Sequence, residues 1–215
     1  VVLSMDIEDW HHLDYFNSSD CNKNYSLLDG IDIYLKILEE ESVPSSFFVL
    51  GEIAQSLSSG LNSIINNKND IGSHGWDHRR PITMPNAEFS DSLIRSKHTI
   101  ENIISTSVEG YRASCFSLDR EKLDQVQKAG YSYDSSRIDF SAHPLYKTIN
   151  MDGYEKVKPN IFKYNNFFEF QVSTLPMYGR NIPISGGGYL RMLPWFLSEK
   201  LIQPYLKQGQ LYILY

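Results

Sequence analysis

Apolar and polar positions alternate along the chain in blocks that predict strands and helices in turn. Short apolar runs typical of buried strands are "VVLSM", "SSFFVLG", "DIGSH" and "VEGYRAS". Longer segments with apolar residues at helical spacing lie between them, and "NAEFSDSLIRSKHTIENIIS" is the clearest. Four strand–helix alternations in about 130 residues predict an α/β fold whose parallel strands are joined by helical crossovers.

The last third of the chain is less regular. We expect a strand in "NFFEFQVST", a loop-rich insertion in "LPMYGRNIPISGGGYLRML", and a final strand in "GQLYILY". The segment "LPWFLSEKLIQPYLKQ" predicts a helix that is interrupted or kinked at Pro204. The length of 215 residues suits one domain of the larger kind, so we expect residues 1–215 to form a single domain.

Ionisable side chains follow several of the predicted elements directly. In α/β folds, functional sites gather at the carboxyl ends of the strands, so side chains at these positions are expected to converge. The residues concerned are Asp6, Glu8, Asp9, His74, His78, Arg112 and Asp134.

The segment "SHGWDH" places His74 and His78 four residues apart. Two imidazoles and a carboxylate are a common ligand set for a catalytic divalent metal, with positions left open for water. The alternative is a pair of unrelated surface histidines, because short motifs have many false positives. The strand that precedes them favours the metal site.

Composition excludes several classes of function. The net charge is −6 and no basic stripe is present, so we expect no nucleic-acid partner. No apolar run approaches the ~18 residues that a membrane helix needs, and no integral membrane segment is expected. The two cysteines form no CxxC pair, which argues against a thiolate zinc site. An aromatic content of 13% fits a protein that stacks rings against sugars.

The stretches "SMDIEDW", "GSHGWDH", "GYRASCFS" and "YSYDSS", in this order, resemble the successive motifs of the polysaccharide deacetylases with a NodB homology domain, carbohydrate esterase family four. The start of the chain is most similar to the exosortase-locus subgroup, which carries "DVEDW". The resemblance covers nearly the whole chain. It implies a distorted (β/α) barrel, truncated at its C-terminal end.

The resemblance also implies a function. It is that of a metal-dependent hydrolase that removes N-acetyl groups from an amino sugar of a bacterial polysaccharide or its precursor. The partner would be an N-acetylated saccharide, and the cofactor a divalent metal, with zinc as the first choice. We expect the protein at the cytoplasmic or membrane-associated face of a bacterium rather than secreted.

Residue roles carry over from the motifs. Asp6 matches the catalytic base, Arg112 the arginine that orients it, and Asp134 the motif that supports the pocket. His74 and His78 match the histidine metal ligands. For the carboxylate ligand we choose Asp9, with Glu8 as the alternative, because D-I-E-D departs from the two adjacent aspartates of the common pattern.

The general acid is left open. The family's histidine follows the last strand, so its motif is expected just beyond Tyr215, and His143 is the alternative within the chain. Two other functions also stay open. One is an allantoinase-like hydrolase of cyclic amides with the same fold, and the other is a non-catalytic carbohydrate-binding relative.

Overall fold

The computed structural model describes residues 1–13, 22, 26–140, 146, 148–177 and 179–215. Its strands are β1 (Val2–Ile7), β2 (Ser45–Val49), β3 (Asp70–Ser73), β4 (Gly110–Tyr111), β5 (Tyr133–Asp134), β6 (Glu155–Lys158), β7 (Ile161–Tyr164), β8 (Phe167–Phe170), β9 (Thr174–Met177), β10 (Arg180–Pro183) and β11 (Ile213–Leu214). Its α-helices are α1 (Ile31–Glu40), α2 (Gly51–Ala54), α3 (Ser58–Asn66), α4 (Asn86–Ile104), α5 (Arg120–Lys128), α6 (Gly187–Met192) and α7 (Trp195–Lys207). Short 3-10 helices span Trp10–His12, Leu27–Gly30, Pro81–Thr83 and Ser114–Phe116.

The main sheet has the strand order β11-β1-β2-β3-β4-β5-β8-β7-β6. Strands β11 to β8 in this order pair in parallel, and the β8-β7-β6 end is antiparallel. Ser173, which follows β8, brings the two ends of the parallel part together. Its Oγ donates to the Leu211 carbonyl at 3.2 Å and accepts from the Ile213 amide at 3.3 Å. The sheet therefore curls into a distorted barrel, and the prediction of an α/β barrel fold is confirmed.

The core lies between the barrel and the helices that cover it. Phe47, Phe48 and Val49 of β2 are all buried, as expected for a parallel strand that is covered on both faces. Helix α4 buries an apolar stripe against the barrel that includes Phe89 and Leu93. These layers fix the positions of the strand ends at which the candidate site residues lie.

Three elements differ from their predictions. The segment 175–193, which was expected to be loop-rich, forms the β9–β10 hairpin and α6. The hairpin β6–β7 was not predicted, because β6 is exposed throughout and neither strand shows the alternation of burial that marks a strand with one buried face. Helix α7 is not interrupted at Pro204 and continues to Lys207. Over the described part of the chain, no helix has both the length and the apolar character needed to cross a bilayer.

Candidate active site and metal centre

The direction of the side chains alternates along β1, and this determines which polar residues at the start of the chain face the same side. Successive side chains of a strand point to opposite faces, so Ser4, Asp6 and Glu8 share one side. Ile7 points the other way and is fully buried in the core. The side shared by Ser4, Asp6 and Glu8 faces the carboxyl ends of β3 and β4, where the histidines and Arg112 lie.

Glu8, His74 and His78 form a cluster that could hold a cation. One ligand atom from each residue lies within 4.8 Å of the other two. Glu8 Oε2 is 2.6 Å from His78 Nε2, and both histidines are buried. This Glu8 oxygen is buried and makes no hydrogen bond of acceptable geometry to the described residues. A carboxylate in that position fits a cation ligand.

The surroundings of His74 prepare its ring to bind a metal. Its Nδ1 is 2.8 Å from the carbonyl oxygen of Arg112, which makes Nδ1 the protonated nitrogen and leaves Nε2 for a cation. Burial lowers the pKa of His74, with His78 and Arg112 adding to the effect against the opposing charges of Asp6 and Glu8. His74 is therefore neutral at neutral pH, as a metal ligand must be.

The loop between the two histidines has a tight backbone path. Gly75 and His78 both adopt left-handed conformations, with φ of 87° and 58°. The first turn of α2 holds the loop, because the amides of Gly51 and Glu52 donate to the carbonyls of Gly75 and Trp76 at 2.9 and 3.0 Å. This path turns the ring of His78 back toward that of His74, with 5.4 Å between the ring centroids.

Trp76 lies within this loop, and its ring has a protein partner. The guanidinium carbon of Arg95 is 3.6 Å from the ring centroid of Trp76. A tryptophan ring in such a loop can either stack on a sugar ring or pack under the loop. The contact with Arg95 favours packing.

Arg112 holds Asp6 beside the cluster. Its Nη1 donates to Asp6 Oδ1 at 2.9 Å and to Ser4 Oγ at 3.0 Å, and its Nε and Nη2 donate to the carbonyl and hydroxyl of Ser135 at 3.2 and 3.1 Å. The guanidinium also stacks on Phe48, 4.1 Å from the ring centroid. Arg112 is 1% exposed, so its plane is fixed by these partners.

The charges around Asp6 keep it ionised. Burial would raise the pKa of Asp6, but the charge and the hydrogen bond of Arg112, with contributions from His74 and His78, outweigh burial and lower it. Asp6 is therefore a carboxylate at neutral pH, which is the state in which it can accept a proton. Arg112 thus contacts Asp6, and the roles of Asp6 as base and of Arg112 as the residue that orients it stay predictions.

Asp9 is placed away from the cluster, contrary to our choice of it as the carboxylate ligand. Its Oδ1 accepts from the Trp10 amide at 2.8 Å, and its own amide donates to His12 Nδ1 at 2.8 Å. These bonds make Asp9 the N-cap of the 3-10 helix Trp10–His12. The choice of Asp9 is corrected to Glu8, the alternative, and the reason is the two-residue period of β1.

Asp134 lies behind the site rather than in it. It is fully buried and accepts from the amide and hydroxyl of Ser136 at 2.8 and 2.7 Å. The same hydroxyl accepts from the Ala113 amide at 2.8 Å. Asp134 therefore anchors the residue that follows Arg112, which fits the predicted supporting role and excludes direct contact with the metal cluster.

Glu169 is a neighbour of Asp134 that the sequence analysis missed. The two residues are register partners on β5 and β8, and both are fully buried. Burial raises the pKa of each, and the charge of Asp134 raises that of Glu169 further. The signal was a lone acidic residue within the apolar run "FFEF". His143, the alternative general acid, lies outside the described residues.

Comparison with known families connects this geometry to a chemistry. Residues 29–133 match the family model for polysaccharide deacetylase. The matched stretch is 105 of the 215 residues, just under half of the chain. Residues 140–215 match a second model, "Domain of unknown function (DUF3473)". Both stretches contribute strands to the same barrel, since β8 of the second stretch pairs with β5 of the first. Strand β11 of the second stretch also pairs with β1, which precedes both. The exosortase-locus subgroup stays a prediction.

Individual relatives cover different parts of the chain. A peptidoglycan deacetylase of Helicobacter pylori is 25% identical over 128 residues, which are 60% of this chain and 43% of that protein. A protein of Mycobacterium smegmatis assigned as a polysaccharide deacetylase superposes with a TM-score of 0.68 over 99% of this chain and 74% of its own, at 20% identity. A carbohydrate esterase family four pseudoenzyme of Bacillus anthracis superposes with a TM-score of 0.51 over 62% of this chain and 41% of its own, at 16% identity. The chain spans less than half of the first and the third of these proteins, and the two structural likenesses show the fold.

Proposed function

We propose that this chain is a metal-dependent hydrolase that removes the N-acetyl group from an amino sugar of a bacterial polysaccharide or its precursor. The observation that carries the proposal is the position of Asp6. Arg112 holds this carboxylate at 2.9 Å, and His74 and His78 of the cluster are close enough to it to influence its pKa. A base beside a cation site is the arrangement that metal-assisted amide hydrolysis requires.

The donor set supports a divalent cation, with zinc as the first choice. Glu8, His74 and His78 would hold it, and a set of three protein ligands leaves positions open for substrate and water. The bound cation would supply a Lewis acid that polarises the acetamide carbonyl and lowers the pKa of a water molecule. The neutral ring of His74 and the hydrogen-bond deficit of Glu8 Oε2 both fit this occupant.

The residues of the chain supply the proton transfer. Asp6 accepts the proton of the attacking water, and Arg112 fixes the direction from which it does so. Arg112 is itself held on both edges by Ser4 and Ser135, so the carboxylate cannot rotate away without breaking a buried network. The substrate class is supported by the polysaccharide deacetylase domain and by the peptidoglycan deacetylase relative.

The activity test is acetate release from N-acetylglucosamine oligosaccharides. We expect release with zinc present and at least a hundredfold less after chelation. Asp6→Asn should abolish release while zinc still binds. Asp9→Asn is the matched control, because asparagine caps a helix as well as aspartate does. Hydrolysis of a cyclic ureide without acetate release, or sugar binding without turnover, would contradict the proposal.

The metal site has a separate test, which is zinc affinity measured by competition with a fluorescent chelator. We expect Glu8→Gln to weaken zinc binding by at least about a hundredfold, since loss of groups that merely support a ligand already costs 10–100-fold. Asp9→Asn should change the affinity by less than about twofold, because it removes no ligand. A larger loss of zinc affinity in Asp9→Asn than in Glu8→Gln would identify Asp9 as the ligand.

A further inference from the structure

The turn between α6 and α7 carries a run of six apolar residues, 192–197, here called the apolar tip. All six are exposed. Their side chains include Met192 at 80%, Trp195 at 70% and Phe196 at 58% exposure. Soluble proteins rarely leave contiguous apolar surface of this kind in water, so the tip marks an interaction surface.

A cavity continues the apolar surface inward. It has a volume of about 270 Å³ and lies between α6, α7 and the β9–β10 hairpin. Met192 and Leu193 of the tip line it, together with Met177, Ile182 and Tyr189. Among the described residues of its wall, only Ser198 and the hydroxyl of Tyr189 are polar. An apolar partner could therefore contact the exposed tip and also insert a group into the cavity.

The charged residues around the tip indicate which kind of partner it binds. The chain as a whole has a net charge of −6, yet residues 187–210 contain three cations and one anion. Arg191 and Lys200 flank the tip, and both are exposed. Aromatic and long aliphatic side chains with cationic neighbours are the composition of segments that lie in the interface of an anionic bilayer.

A second copy of the chain fits this surface less well. A twofold contact through the tip would bring the cations of one copy close to the same cations of the other. An anionic lipid surface instead presents phosphates to these cations, so the local charges at the tip favour it over a second copy.

The tip is also connected to the candidate active site. The amide of Gly187, at the start of α6, donates to the carbonyl of Tyr215 at 2.7 Å. The ring of Tyr215 lies 5.8 Å from the guanidinium carbon of Arg112, which holds Asp6. One short helix therefore separates the surface from the catalytic face of the barrel.

We propose that the apolar tip docks this protein on anionic membrane surfaces, with Trp195 and Phe196 in the interfacial layer and Arg191 and Lys200 at the lipid phosphates. The inference goes beyond the proposed hydrolase function and does not depend on it, because docking needs neither the metal cluster nor Asp6.

The test is co-sedimentation of the 215-residue chain with vesicles of phosphatidylcholine alone or with a quarter phosphatidylglycerol. We expect binding to the anionic vesicles, and Trp195→Ala with Phe196→Ala should lower the partition coefficient at least tenfold. Arg191→Gln with Lys200→Gln should reduce the preference for anionic vesicles by about 25-fold. All four side chains are exposed, so the fold is expected to be retained, and circular dichroism checks this.

Matched controls come from exposed residues elsewhere. Ile33→Ala with Ile37→Ala removes apolar side chains of 67% and 50% exposure from α1 and should leave vesicle binding unchanged. Absence of binding to anionic vesicles would overturn the proposal, and so would equal losses in the control. A concentration-dependent dimer that disappears in the Trp195→Ala variant, without vesicle binding, would instead assign the tip to a second copy.

Discussion

Arg112→Met tests whether one buried cation organises the candidate site. Methionine keeps the length and apolar stem of arginine but removes the charge and every donor. Loss of one partner of a buried ion pair costs about 3–5 kcal/mol. The hydrogen bonds to Ser4 and Ser135 add about 1 kcal/mol each. Because the side chain of Asp6 is 18% exposed, water offsets part of this cost. We expect the free energy of unfolding to fall by about 4 kcal/mol.

The assay is urea unfolding followed by tryptophan fluorescence. Arg120→Met is the control, since Arg120 pairs with Asp124 near the surface and its loss should cost less than about 1 kcal/mol. If the cost of Arg112→Met comes from an unpaired carboxylate, adding Asp6→Leu should recover at least about 2 kcal/mol. A cost below about 1 kcal/mol, or no recovery in the double variant, would refute the reasoning.

Three further outcomes follow from buried or tightly packed groups. The raised pKa values of Glu169 and Asp134 mean that the folded state loses stability as pH rises above the unfolded values of about 4. Glu169→Gln should flatten this slope in urea unfolding, and an unchanged slope would contradict the raised pKa of Glu169. Gly110→Ala would place a Cβ 2.2 Å from the ring of Tyr133 and should lower the melting temperature, at a cost of about 1–3 kcal/mol. Asp119→Ala removes the N-cap of α5 and should cost about 1 kcal/mol by the same measurement, with Asp119→Asn near neutral.

Parallel strands explain why much of the site could be predicted from the sequence. Asp6, His74 and Arg112 each lie at the end of a different strand, and parallel strands bring such ends to one edge of the sheet. This rule needs no knowledge of the loops. The rule does not identify residues beyond the end of the strand. There, the choice between Glu8 and Asp9 as the carboxylate ligand depends on the direction in which each side chain points.

Extending the two-residue alternation of β1 beyond its last residue would have predicted Glu8 rather than Asp9 as the ligand. Asp6 and Glu8 share a face at a spacing of two, whereas Asp9 begins a 3-10 helix and its side chain is used by the cap. Glu169 shows a different limit. Its strand was predicted, but its partner Asp134 is 35 residues earlier in the chain, and only the register of β5 with β8 brings them together.

The sequence separation within the site has a consequence for folding. The bonds from Arg112 to Asp6 and to Ser4 span 106 and 108 residues. Contacts of such span form only after long loops have closed, so the cluster is expected to be assembled late, with the barrel as a whole. A cation bound by Glu8, His74 and His78 would bind the folded chain alone, and by mass action it would stabilise the entire barrel rather than one loop. The candidate catalytic centre would then also have a structural role, because it would link β1 to β3 and β4.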